Sequence, residues 1–178
     1  LLHKDLGDYE AAEPLLREAL RIRRRTLDAH HPDIATSLNY LAVTLYAQGQ
    51  YAESESLLRD ALRIRRRVFG PDHRRTLTSL NDLAAALYAQ GKVEAATPLF
   101  RKVLAGRKKA LGPTHGLVAQ SLNNLAAVLR RQERYREAEP LFRDAVALAQ
   151  DRYGRNHAET ATSMVNLGTL LRDMGRLQ

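Results

Sequence analysis

"SLNNLAAVL", residues 121–129, is the stretch whose reading decides the fold. Leu122, Leu125, Ala126 and Leu129 fall at i, i+3, i+4 and i+7, the spacing of one face of a helix. Asn is a weak helix former and costly to bury without a partner, so Asn123 and Asn124 sit awkwardly in such a helix. Yet Ser-Leu-Asn stands at Ser37, Ser79 and Ser121, and Ser163 opens a variant, "SMVN". An awkward residue kept at a fixed interval points to an internal repeat.

The interval is 42 residues throughout. His31, His73, His115 and His157 keep it, as do Leu41, Leu83, Leu125 and Leu167, and Leu45, Leu87, Leu129 and Leu171. Residues 1–30 then form a partial unit, followed by whole units at 31–72, 73–114 and 115–156 and a partial unit at 157–178, the last a first helix alone. The register needs no insertion or deletion, and we expect a single array over residues 1–178.

Each unit reads as two helices. In the first, Leu38, Leu41, Ala42 and Leu45 share a face, with Pro32 and Asp33 suited to the first turn. Gly49 breaks it; Gly7, Gly91 and Gly175 match that position, and Glu133 replaces it once. The second helix carries Leu57, Leu58, Ala61 and Leu62 and ends in Arg65–Arg67, suited to the negative end of a helix dipole. Gly70-Pro71 and Gly112-Pro113 close it. Pro14, Pro98 and Pro140 fall inside this second helix, so either it starts later or its first turn is bent. No such hairpin buries its apolar face alone; stacked neighbours do.

Composition narrows the rest. Aromatics are 6% of the chain and Trp is absent, which favours closely approaching Ala/Leu helices over a sheet. With no cysteine, disulfides and thiolate metal sites are excluded; this suits a reducing compartment, and a cytoplasmic location is expected. No apolar run approaches the roughly 18 residues that span a bilayer. Net charge is +8, a field that draws anionic partners without choosing among them. The chain opens on Leu1-Leu2 and looks cut from something longer.

At this point a family likeness is carried by residues. Met164-x-x-Leu167-Gly168-x-x-Leu171 resembles the first half of a tetratricopeptide repeat, with Met for the usual Trp. Ala96-x-x-x-Phe100 and Ala138-x-x-x-Phe142 resemble its second half. The 42-residue spacing, with "LNNLA", "YREAEPLF" and "GPDH", is similar to the kinesin light chain subgroup. The resemblance implies an all-α, right-handed superhelical solenoid of antiparallel helix pairs, a concave groove lined by the first helices, and asparagines that contact bound peptides.

Carried over by position, the groove is lined by Thr36, Asn39, Val43 and Tyr46; by Thr78, Asn81, Ala85 and Tyr88; and by Gln120, Asn123, Ala127 and Arg130. Lys4 and Asp5 extend it at one end, and Thr162, Val165, Thr169 and Arg172 at the other. An Asn offers a donor and an acceptor, so Asn39, Asn81 and Asn123 could form a ladder for a peptide backbone. The same asparagines could instead tie adjacent first helices together. Tyr46 and Tyr88 add contact area, and Lys4, Arg130, Arg131 and Arg172 favour acidic ligand residues. Asn124 and Asn166 align with Tyr40 and Asp82, a variable position that reads as solvated.

Other constellations weigh less. The four histidines lie in successive loops, about 10 Å apart by helix packing, and read as ordering or capping residues, so no metal is expected. "RIRRR" (21–25), "RIRRR" (63–67) and "GRKK" (106–109) could form a basic rim that binds nucleic acid, but no aromatics interleave with them and acidic residues share their helices. No phosphate loop, nucleophile elbow or unique carboxylate pair breaks the repeat, so no catalysis and no cofactor are expected. The expectation is a protein-binding scaffold that takes a partly acidic segment of a partner protein. Nucleic-acid binding, or a regulatory array on a larger enzyme or signalling ATPase, is the alternative. Uncovered apolar residues at both ends also predict end-to-end self-association.

Overall fold

Sixteen-residue helices start at Pro32, Arg74, Gly116 and Ala158, each 42 after the last, and 19-residue helices start at Tyr51, Val93 and Tyr135 with the same step. In chain order they are α1 (Leu2–Thr26), α2 (Pro32–Ala47), α3 (Tyr51–Phe69), α4 (Arg74–Ala89), α5 (Val93–Leu111), α6 (Gly116–Arg131), α7 (Tyr135–Tyr153) and α8 (Ala158–Asp173). The computed structural model describes the backbone of residues 2–175 and the side chains of 9–175. There is no strand among the described residues. The chain divides into two compact units, residues 1–92 with α1–α4 and residues 93–178 with α5–α8.

The predicted stripes are the core. In the first unit Leu20, Ile34, Leu38, Leu41, Leu45, Ala61 and Ile64 pack together. In the second, Val118, Leu122 and Ala145 do so, with Leu104, Leu141 and Leu148 against them. Burying such a side chain contributes about 1.5–3 kcal/mol.

The histidines cap helices. His31, His73, His115 and His157 each accept, at Nδ1, the backbone N–H two residues on, at 3.1–3.2 Å. That satisfies one of the orphan donors of each first helix. The rings of His73 and His157 also stack on Phe69 and Tyr153, centroids 4.7 Å apart.

The prolines lie inside helices. Pro98 and Pro140 are each the sixth residue of α5 and α7, so the second helix starts early and tolerates the lost hydrogen bond. The break expected at Gly7 does not form, because α1 runs through it from Leu2 to Thr26. Too few residues precede Gly7 to make a packed first helix, so nothing favours a turn over continued helix there.

The turns from first to second helix are fixed by residues with positive φ, Gly49 at 81° and Gly91 at 78°. Gln48 and Gln90 then donate their side-chain amides to the carbonyls of Tyr9 and Tyr51, one repeat back. Gln90 and Lys92 also reach Glu55 Oε2, both at 2.9 Å, and Arg59 reaches Glu55 Oε1. Burial pushes the Glu55 carboxyl up, but Lys92, Arg59 and Gln90 outweigh it and hold the group at about 2.

Two outcomes follow from the turns. Glu133 adopts φ 58°, where its glycine counterparts pay no penalty for a Cβ. Glu133→Gly raises stability by about 1 kcal/mol in denaturant unfolding. Glu55 has a folded pKa below its ordinary 4.5, so its contribution is complete above that value and disappears as the pH falls towards 2. Glu55→Gln therefore flattens the acid limb of a stability–pH curve over that interval.

Candidate functional site: the first-helix face and the arginine joints beneath it

The recurring asparagine is structural before it is anything else. Asn39 is 9% exposed and Asn81 8%. Asn39 Oδ1 accepts from Arg65 Nη1 at 3.0 Å and from Ser79 Oγ at 2.8 Å, and its Nδ2 donates to Asp82 Oδ2 at 3.1 Å. One amide thus links α2, α3 and α4. Asn81 Nδ2 also donates to Asp82, at 3.4 Å.

The arginine in this joint was hidden inside a cluster read as a rim. Arg65 is 7% exposed and Arg107 3%. Arg23, Arg65 and Arg107, spaced by 42, each donate Nη1 to the serine 14 residues on, Ser37, Ser79 and Ser121, at 2.7–2.9 Å. Each also reaches the carbonyl ten residues on, of Asp33, Arg75 and Leu117, at 3.0–3.1 Å. Burial lowers the Arg65 pKa, and the nearby Asp82 charge opposes that shift. The middle residue of each basic run therefore points inward, contrary to the rim reading. Arg66, Arg67, Lys108 and Lys109 stay exposed. The shared 14-residue offset from arginine to serine was the signal that could have revealed it.

Above these joints lies the face on which the sequence placed its site. In the first unit Thr78 and Tyr46 are exposed, Thr36 and Tyr88 half-buried. Thr36 and Thr78 donate their hydroxyls to carbonyls four residues back. Tyr40 is 61% exposed, and Val43 and Tyr46 join it as exposed apolar surface on α2. Val43, Tyr46, Ser54, Leu58, Asp82 and Ala85 surround a pocket of about 230 Å³. The Tyr46 ring leans on Tyr51, centroids 5.2 Å apart. Burial, then Tyr51 and Tyr88, raise the Tyr46 pKa.

In the second unit Gln120 is exposed and accepts from Arg107 at 3.0 Å. Asn123 and Arg130 are half-buried. Asn123 donates to Ser163 Oγ at 2.8 Å, and Arg130 pairs with Asp173 at 3.5 Å. Asn166, expected to be solvated, is half-buried, as is Asn124, which has a polar partner. The side chains of Lys4 and Asp5 lie outside the described residues.

A family model for the tetratricopeptide repeat matches residues 1–66, 33–109, 89–151 and 117–178, so its matches run the length of the chain. The chain belongs to the tetratricopeptide repeat family. It is similar to a kinesin light chain from Podosopora anserina with nearly identical repeats, at 27% identity and TM-score 0.84, covering 99% of this chain and 84% of that one. BtubC from P. vanneervenii matches at 24% identity and TM-score 0.84, over 97% and 69% of the two chains. A Rap protein in complex with Competence and Sporulation Factor matches at 19% identity and TM-score 0.78, over 97% of this chain and 46% of that one. No curated protein sequence matches. The tetratricopeptide array is all-α and of the kinesin light chain-like kind. None of its described helices is long and apolar enough to cross a membrane.

The joint makes a sharp contrast between neighbours in sequence. Arg65→Ala strands Asn39 Oδ1 and the Arg75 carbonyl, and should cost about 3 kcal/mol in urea unfolding. Arg66→Ala, one residue on and exposed, should change stability by less than about 0.5 kcal/mol.

Proposed function

We propose that this array binds a partner protein by laying one of its segments across the first-helix face, with an apolar side chain seated between Val43, Tyr46, Leu58 and Ala85. The observation that carries the reading is the pocket beside Tyr40, Val43 and Tyr46. Three exposed apolar side chains on one helix of a two-sided repeat mark contact surface more than solvated surface. Tyr adds a rigid ring and a hydroxyl at little entropic cost. The pocket floor, Leu58 and Ser54, belongs to the second helix, so the anchor reaches between hairpins. A Rap protein of the same fold holding Competence and Sporulation Factor supports the general mode.

Within this reading the buried asparagines act indirectly. Asn39 and Asn81 set the spacing of α2 and α4, and the ligand meets Thr36, Thr78, Tyr46 and Tyr88 around them. Acidic residues of the segment would meet Arg172, exposed beside Asp173, and Arg130. The array supplies a surface and no chemistry of its own.

A random peptide library displayed on phage and selected on the chain tests this. Selected peptides should share an apolar anchor. Val43→Glu should weaken them more than tenfold while leaving the unfolding midpoint unchanged, since Val43 is exposed. Failure to enrich any peptide, or full binding by Val43→Glu, overturns the reading.

A further inference from the structure

Asn39 and Asn123 hold the same place two repeats apart, and their surroundings differ in two residues. Around Asn39 stand Arg65, Ser79 and Asp82. The residues in register around Asn123 are Ala149, Ser163 and Asn166. Both members of the charged pair, arginine and aspartate, are replaced together.

What remains is an acceptor set without its donor. Ser163 Oγ receives Asn123 Nδ2 at 2.8 Å and donates to the Glu159 carbonyl at 3.0 Å. Ser163 and Glu159 are the register equivalents of Ser79 and Arg75, whose Oγ and carbonyl receive Arg65. Asn123 Oδ1 is buried, and no donor among the described residues reaches it. Its counterpart, Asn39 Oδ1, takes two donors. A buried carbonyl oxygen left unpaired is costly, so the site favours any donor that arrives.

The donor that fits is defined by the other three repeats. Each places a guanidinium there, a flat group with five donors and no acceptor. An ammonium is compact and more strongly hydrated, and matches the set less well. A carboxylate is not required. Arg23 has Tyr40 in the place of Asp82, and its hydrogen bonds go to Ser37 Oγ and the Asp33 carbonyl. Access is from the first-helix face, where Asn123 and Asn166 are half-buried and Gln120 and Thr162 are exposed.

We infer that the joint between α6 and α8 is a binding site for a guanidinium group from outside the chain, that of an arginine side chain in a partner segment, received by Asn123 Oδ1, Ser163 Oγ and the Glu159 carbonyl. The site opens on the face assigned to peptide binding, but it rests on a different observation. A small cation tests it whether or not the pocket at Val43 holds a ligand.

The experiment is thermal unfolding of the whole chain in low-millimolar ethylguanidinium chloride, with ethylammonium chloride at equal concentration as control. A ligand of the native state raises Tm by about 3 °C at tenfold excess over its Kd for a chain of this size. The rise should appear with ethylguanidinium, saturate, and be absent with ethylammonium. Ala149→Arg supplies the group from within, so its Tm should start higher and stay flat on addition. Asn123→Leu removes the orphan acceptor and should abolish the rise, which keeps the test decisive if Ala149→Arg does not fold. A capped Ala-Arg-Ala peptide should reproduce the shift and Ala-Lys-Ala should not. No rise with ethylguanidinium, an equal rise with both cations, or a rise that survives Asn123→Leu overturns the inference.

Discussion

The Arg65 guanidinium lies where α2, α3 and α4 meet, and the geometry of the array follows from it. A buried cation needs acceptors in fixed places. Asn39 Oδ1, Ser79 Oγ and the Arg75 carbonyl supply them, and each is on a different turn of two different helices. Apolar packing alone would let one hairpin slide over the next at little cost. A fork of hydrogen bonds admits one register. The small side chains Ala42 and Ala84, both fully buried, allow the close approach that this register needs.

The same device explains why the face above it is available to a partner. Because Asn39 and Asn81 are committed to the joint, the polar groups at the base of the first-helix face are already satisfied. What projects beyond them is Tyr40, Val43 and Tyr46 in one unit and Gln120 and Arg130 in the other. The two faces differ in chemistry although their scaffolds repeat. The last hairpin departs furthest: Ala149 replaces the arginine, Asn166 the aspartate, Met174 the glutamine of the turn and Val165 the asparagine. Residues freed from joint-making are the ones whose identity can follow a ligand.

The helices were legible because their apolar period and their 42-residue step reinforce each other, and His31 and its equivalents could be read as caps from their place before each first helix. Of the two readings open for Asn39, helix tying is the one its three hydrogen bonds describe. The arginine of the joint was not legible as such. It stands among four like residues in "RIRRR", and only the direction of its side chain separates Arg65 from Arg66. The pocket at Val43 was also out of reach, since Ser54 and Leu58 come from a helix that the periodic argument assigns to the other side. Hydrogen bonds between repeats depend on approach distances that no pattern within one repeat encodes.

The glutamines of the turns carry a further meaning. Gln48 and Gln90 bond to the main-chain carbonyls of Tyr9 and Tyr51 rather than to their side chains. Every amino acid presents that oxygen. A module fastened in this way asks nothing of its predecessor's composition at that point, so copying 42 codons in tandem yields a fitting seam at once. Arrays of this kind can thus lengthen by duplication first and diversify afterwards, with the exposed side chains drifting while the fasteners hold.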